Sequence, residues 1–327
     1  MRYTQLPHTD STVSVVALGC WAFAGDFNWG PQDDTDSIHT VHAALDHGIT
    51  FFDTAEGYGD GHSEEIIGRA LKGRRHEAVI ATKPKPGRDT PDELRGSCEQ
   101  SLRLLGTDYI DLYQQHWPNR DVPLDEVVGA FERLREEGKI RAFGVCNYGE
   151  RDFEELVSYT TPSTNQVAYS LIWRAIEYKV QRKCVEYGTG ILAYSPIAQG
   201  LLTGKYRSAD EVPEGRARTK HFSAQRPETR HGEKGAEKET FEAIEAVRYI
   251  AERHGVSMLD LAIGWVLAQP AVTSVLAGAR RPDQIPQNAG AGDRVLPAGV
   301  VDELSRATEM LKGKLGDDPD PWSSRMR

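Results

Sequence analysis

Four polar side chains sit where apolar runs stop. Asp53 stands near the end of ITFFDT (49–54), Lys83 closes AVIATK (78–83), His116 closes YIDLYQQH (109–116), and Tyr58 follows Asp53 on the glycine-rich turn EGYGDG. A phenol, an ammonium, a carboxylate and an imidazole brought together make a device for protonating a carbonyl oxygen. The phenol is the proton donor; with an ordinary pKa of ~10 it is a poor acid at neutral pH unless a cation lowers that value, and Lys83 is the candidate cation. On this reading Asp53 holds Lys83 charged and in place. His116 donates a hydrogen bond to the substrate carbonyl and limits the site to flat, polarisable groups. Taken singly, each residue has an ordinary explanation: Tyr58 as a surface aromatic, Lys83 as a solvated lysine before Pro84, Asp53 as a turn cap, His116 as a structural histidine. Their joint placement at the ends of neighbouring strands is what points to chemistry.

The elements that must position them are short β-branched runs separated by helical patterns. Besides the three above, the runs are VSVVALG (13–19), KIRAFGVCN (139–147), TNQVAY (164–169), GILAYS (190–195) and VTSVLAG (272–278), eight in all. Strands without polar alternation are buried on both faces, so eight strand–helix units predict an α/β fold, a (β/α)8 TIM barrel of parallel strands. Such a barrel gathers Asp53, Lys83, His116, Asn147, Gln166 and Tyr194 at one rim. Residues before the first run, turned at His8 to Ser11, predict an N-terminal β-hairpin that plugs the barrel bottom. Between the runs, segments such as TPDELRGSCEQSLRLLG start on a capping residue and stop at glycine. The rhythm breaks after the seventh strand, where residues 200–235 form a stretch too long for an ordinary connection and rich in Gly, Pro, Arg and Lys. With Arg216, Arg218, Lys220, His221 and Arg226 it either folds over cofactor phosphates, extends the substrate wall, or is a flexible solvated loop. Evenly repeated units without a long linker make residues 1–327 a single domain.

Composition narrows the partners. The net charge of -10 excludes nucleic acid or an anionic membrane as the main partner, since both require a basic face. No apolar run approaches the ~20 residues of a membrane span, and the N-terminus lacks a charged segment followed by an apolar one, which predicts a cytoplasmic chain. Cys20, Cys98, Cys146 and Cys184 are scattered and read as reduced thiols, and His39, His42 and His47 lie on one helix face without a metal-ligand spacing. GYGDGHSEE follows a strand and opens a helix, yet its G-x-G-x-G spacing is wrong for a dinucleotide fingerprint. Any cofactor must therefore bind the barrel itself. AGARRPDQI places Arg280 and Arg281 at the start of a helix with Pro282 in its first turn, an anion site in which backbone N–H groups and guanidinium charge meet.

The chain resembles the aldo-keto reductase family over nearly its whole length, through DTAEGYG, ATKPK, QQHWPN, GVCN, NQVAYS, AYSPIAQGLLTGKY and AGARRPDQIPQN. The resemblance implies a cofactor, NADPH (NADP+), bound extended across the rim. It implies that Asp53, Tyr58, Lys83 and His116 are the catalytic tetrad, with Tyr58 as general acid. Cys146, standing where the family usually has serine, Asn147 and Gln166 match the positions that hold the nicotinamide carboxamide, and Tyr194 matches the ring that stacks on the nicotinamide. Ser195, Ile197, Gln199, Leu201 and Lys205 match the pyrophosphate segment; Gly278, Arg280, Gln284 and Asn288 match the segment around the adenosine and its 2′-phosphate. Trp21, Phe23, Trp29 and Trp117, mixed with Asp26, Asn28, Asn119 and Arg120, suit a small-molecule carbonyl or polyol substrate, with Trp21, Trp29 and Trp117 as the binding aromatics. The expected activity is NADPH-dependent reduction of an aldehyde or ketone, or the reverse oxidation of a sugar or polyol. Two rivals stand beside it: a cofactor-binding regulatory module like the channel-associated β subunits of the same family, and a metal-dependent barrel hydrolase or lyase using Asp53, Glu56 and His116.

Overall fold

The chain opens with an antiparallel hairpin, β1 (Tyr3–Gln5) and β2 (Thr12–Ser14), in which Tyr3 faces Ser14 and Gln5 faces Thr12. The computed structural model describes residues 1–26 and 29–322. Eight strands follow: β3 (Val16–Gly19), β4 (Phe51–Asp53), β5 (Val79–Thr82), β6 (Ile110–Gln115), β7 (Ile140–Cys146), β8 (Thr164–Ala168), β9 (Gly190–Tyr194) and β10 (Val272–Gly278). They pair in parallel in sequence order, and β10 closes on β3. Every expected strand is present. The run VSVVALG, read as one strand, divides in two: Val13 belongs to the antiparallel hairpin and Val16 starts the parallel barrel. Between them Ser14 Oγ donates to the Val16 carbonyl (2.6 Å) and accepts from Thr50 N (3.1 Å), which takes the chain from one pairing to the other.

Period-two geometry aims the functional residues. Phe51, Ala81, Leu112 and Leu192 point into the barrel, with Ala17, Ala142 and Leu276, and Leu6 and Val13 of the hairpin seal the bottom of this inner cluster. Phe52, Ile80, Tyr113 and Ile191 point outward into the larger cluster shared with the helices. Two residues beyond each inward side chain, the same face reaches the rim: Asp53 after Phe51, Lys83 after Ala81, Gln114 and then His116 after Leu112, Tyr194 after Leu192. The register places Cys146 beside Gln166 and Gln166 beside Leu192, so these two side chains share that interior. At the bottom, Gly190 leaves room for the plug, because a Cβ there would stand 2.3 Å from Thr273 Oγ1 and 2.9 Å from Pro7 Cγ.

The outer layer is α1 (Asp34–Asp46), α2 (His62–Ala70), α3 (Pro91–Leu105), α4 (Leu124–Glu136), α5 (Glu150–Val157), α6 (Val180–Tyr187), α7 (Glu237–His254), α8 (Met258–Leu267) and α9 (Ile285–Asp293), followed by α10 (Ala298–Ala307) and α11 (Glu309–Leu315). The start signals work as expected. Asp33 accepts from Thr35 and Asp36 N–H groups, and Ser257 with Asp260 forms a capping box. The long segment after β9 is not a solvated loop. It carries three short 3-10 turns, Ala198–Thr203, Ala209–Glu211 and Glu214–Arg216, and buries Val212, Ala217, Phe222, Lys220 and His221. Lys220 Nζ meets Glu233 (3.2 Å) and Asp318, and its N–H donates to the Pro321 carbonyl, so this segment and the C-terminal residues hold each other against the barrel. Among the described residues no helix is long and apolar enough to cross a membrane.

Candidate active site

The ends of β4 and β5 place a fully buried ammonium on a buried carboxylate. Lys83 Nζ lies 2.7 Å from Asp53 Oδ1 and 2.8 Å from the Thr54 carbonyl. The second carboxylate oxygen accepts from Gln166 Nε2 (2.8 Å) and Gln114 Nε2 (3.3 Å). A buried ion pair is tolerated only when the remaining lone pairs and protons are also satisfied, and these amides do that for Asp53. Burial works against the Lys83 charge, but the Asp53 carboxylate outweighs it and holds the ammonium above the ordinary lysine range.

Tyr58 sits on a turn that cannot be extended backbone: Gly59, Asp60 and Gly61 have φ of 65°, 56° and 93°. Glu56 anchors the turn by accepting from Lys85 N (2.9 Å) and Arg88 Nη1 (2.8 Å). The phenol ring lies 5.3 Å from Lys83 Nζ, stacks on Trp21 with centroids 5.7 Å apart, and meets His116 edge-on at 6.1 Å. The sequence led us to expect a lowered Tyr58 pKa. Instead loss of water around the phenol pushes it up to about 12, and Lys83, acting downward, only limits the rise. Tyr58 thus keeps its proton throughout the physiological range.

His116 differs from expectation in a second way. Burial first, and the Lys83 charge second, lower its pKa to about 3, so the ring is neutral. Its Nδ1 lies 3.2 Å from the Pro84 carbonyl. A carbonyl only accepts, so the single proton is on Nδ1 and Nε2 presents a lone pair. In this tautomer Nε2 accepts a hydrogen bond rather than donating one. Its loop is fixed on both sides by buried Asp89, which accepts from Gln115 Nε2 and Asn119 Nδ2, both at 2.9 Å.

On the facing strands Asn147 Nδ2 donates to the His116 carbonyl (3.1 Å), and its Oδ1 accepts from Tyr194 Oη (3.0 Å). Gln166 spends its Nε2 on Asp53 and its backbone carbonyl on Asn147 N, so the acceptor its side chain has to offer is Oε1. Cys146 is buried and burial raises its thiol pKa, the opposite of what a reactive thiol needs. Beyond β9 the backbone turns left-handed at Ser195, Ala198 and Gln199. The result is a cleft of about 380 Å³ lined by Tyr194, Ser195, Gln199, Leu201, Arg216 and Trp322 among others. Ile197 packs toward the core instead. Lys205 is exposed and arches over Gly200, where a Cβ would meet its Nζ at 3.0 Å.

The last predicted cluster is assembled but self-occupied. Arg280 Nε donates to Gln32 Oε1 (2.8 Å), Nη1 to the Trp29 carbonyl (2.7 Å), and Nη2 to the Pro31 carbonyl. Gln284 Oε1 caps the Arg280 and Arg281 N–H groups (2.7 and 3.3 Å), Asn288 Nδ2 faces the Gly278 carbonyl at 3.4 Å, and Arg281 pairs with Asp283 on the surface.

The family model described as the aldo/keto reductase family matches residues 15–309. The chain belongs to the aldo/keto reductase family. An aldo-keto reductase of Bacillus subtilis is 36% identical, the match covering 87% of each chain, and an NADH-specific methylglyoxal reductase of Escherichia coli is 34% identical over 89% of this chain and 93% of its own. Among solved structures, a glycerol dehydrogenase from Gluconobacter oxydans superposes with a TM-score of 0.80 at 32% identity, covering 99% of both chains. An aldo-keto reductase from Klebsiella pneumoniae, solved with NADPH, gives 0.74 at 28%, covering 100% of this chain and 99% of its own.

In this aldo/keto reductase the residues of the metal alternative are otherwise engaged: Asp53 on Lys83, Glu56 on Arg88, His116 on Pro84, and no group of three ligating side chains exists among the described residues. Trp21, stacked on Tyr58, meets Trp29 edge-on at 5.7 Å, and Asp26 accepts from Trp21 Nε1 (3.0 Å). Trp117 follows His116 on the same rim, Arg120 is turned away onto Asp152, and Asn28 lies outside the described residues. Sequence reasoning missed Gln114, Trp173 and Trp322. Gln114 was readable, since it has the parity of His116 on the same strand; the two tryptophans reach the cleft only through the packing of distant segments.

Proposed function

We propose that this family member is an oxidoreductase that reduces small aldehydes or ketones with NADPH, Tyr58 giving the proton. The observation that carries the reading is a protonated phenol beside a buried, charge-held ammonium, 5.3 Å from ring centroid to Nζ. The cofactor fits the donor set: Gln166 Oε1 for an amide N–H, left-handed backbone at Ser195 and Gln199, Lys205 over Gly200, and exposed Arg281 near a helix start. When bound, NADPH supplies the hydride. The chain's residues handle the proton. As the carbonyl oxygen gains charge, Tyr58 Oη transfers its proton, Lys83 stabilises the phenolate left behind, and Asp53, held by Gln114 and Gln166, keeps Lys83 in place. Methylglyoxal reduction by the Escherichia coli relative and the NADPH complex of the Klebsiella protein support carbonyl reduction and the nucleotide. Four buried cysteine thiols suit a reducing cytoplasm.

A second reading, alcohol oxidation, is favoured by the lone pair on His116 Nε2, which accepts from a substrate hydroxyl, and by the glycerol dehydrogenase likeness. The test is a panel of carbonyls with NADPH and of polyols with NADP+, run on the wild type and Tyr58→Phe. Turnover in one direction should fall by roughly 10²–10⁴ in the variant while nucleotide binding persists. Full activity of the variant would remove Tyr58 as the acid, and binding without turnover in the wild type would favour the regulatory module.

A further inference from the structure

The segment after β9 carries a concentration of positive charge in a chain whose net charge is -10. Three of its cations are used inside the protein. Lys220 is held by Asp318 and Glu233, Arg226 by Glu237 and Glu214, and Arg216 donates to Tyr206 Oη (3.2 Å). Arg218 is different. Its Nε is buried and has no hydrogen-bond acceptor among the described residues, and the Asp26 and Glu228 carboxylates act on it only through space, against Arg230 of like sign. A partly desolvated guanidinium with no carboxylate hydrogen-bonded to its Nε is favoured by an anion that can approach closely.

Its surroundings locate it at the mouth. The guanidinium lies 5.0 Å from the Trp322 ring centroid, and Trp322 Nε1 donates to Tyr194 Oη (3.3 Å). On the other side Asp26 accepts from Trp21, whose ring stacks on Tyr58. Arg216 and Thr219, its neighbours along the chain, line the cleft. With Nε buried, the Nη1 and Nη2 groups are the ones left to meet a ligand, and that pair forms a two-point contact with a carboxylate or phosphate.

Resting on the reductase reading above, we propose that Arg218 anchors an anionic group of the substrate, so that the preferred substrates are carbonyl compounds bearing a carboxylate or phosphate at the end remote from the reacting carbon. Neutral sugars and simple aldehydes lack that handle. The low-dielectric mouth, walled by Trp21, Trp29 and Trp322, strengthens the contact relative to one in open water.

The proposal is tested by comparing kcat/KM for succinic semialdehyde with butanal, and for glyceraldehyde 3-phosphate with glyceraldehyde, in the wild type, Arg218→Gln and Arg218→Lys. The wild type should prefer the charged member of at least one pair, which also identifies the anion. The preference should shrink roughly 10- to 100-fold in Arg218→Gln, the worth of a charge-assisted contact, and less in Arg218→Lys, which keeps the charge without the fork. A wild-type ratio near one in both pairs, or a ratio unchanged by Arg218→Gln, would overturn it. So would a loss of NADPH affinity in equilibrium dialysis with the ratio intact, since the guanidinium would then serve the cofactor. If none of the four aldehydes is turned over, the reductase reading has failed. The anion site is then decided by calorimetric binding of succinate and glycerol 3-phosphate, which must be lost in Arg218→Gln for it to stand.

Discussion

At the scale of single residues, two titrating groups of the proposed site are held far from neutrality in opposite directions. Tyr58 keeps its proton below about 12 and His116 stays neutral above about 3. Neither changes state near neutral pH, so kcat for carbonyl reduction should be flat between about pH 5 and pH 9. A break near the ordinary histidine value in a pH–rate profile would show that His116 titrates in the working enzyme. That Asp53, Tyr58, Lys83 and His116 meet at one rim was legible because each is a polar residue at the end, or just past the end, of an apolar run. Their electrostatics were not. The balance between burial and Lys83 at Tyr58, and the choice of proton position on His116, depend on packing and on one carbonyl, that of Pro84, which a sequence does not locate.

At the scale of elements, α2 and α3 bury a carboxylate between them. Glu64 accepts from Thr82 Oγ1 (2.6 Å), and burial raises its pKa to about 7. Below about pH 4.5 the side chain is protonated folded or unfolded. Between there and about 7 the unfolded chain releases the proton and the folded one keeps it, so stability falls as pH rises through that window and levels above it. Glu64→Gln should therefore match the wild type near pH 4.5 and exceed it by about 3 kcal/mol near pH 8, read from urea unfolding. An advantage independent of pH would mean that Glu64 is ionised when folded. At the barrel bottom, Gly190→Ala drives a methyl into Thr273 and Pro7 and should cost about 1–3 kcal/mol in the same assay; a neutral result would show that the plug yields. All eight barrel strands were readable from their unalternated apolar runs. The break at Ser14 was not, because it follows from one hydroxyl bonding to its own chain.

At the scale of the whole molecule, the last described residues close the site. Trp173 Nε1 donates to the Pro319 carbonyl (3.3 Å), Lys220 N–H to that of Pro321, and Trp322 Nε1 to Tyr194. Trp322→Ala should release this closure and speed amide hydrogen exchange across residues 218–222, with little change in α3 or α4; unaltered exchange there would mean that the Lys220 pairs hold the segment alone. Its position over the cleft had no sequence signature, since it arises from a fold that returns residues 318–322 to the mouth. That return has an optical consequence. Of the six tryptophans, Trp21, Trp29, Trp173 and Trp322 stand around the mouth and cleft, and Trp265 is fully buried in the core. Indole emission overlaps nicotinamide absorption, so the protein carries its own donor array for energy transfer to a reduced nucleotide. Replacing the indoles one at a time would let light, rather than turnover, map where the ring docks.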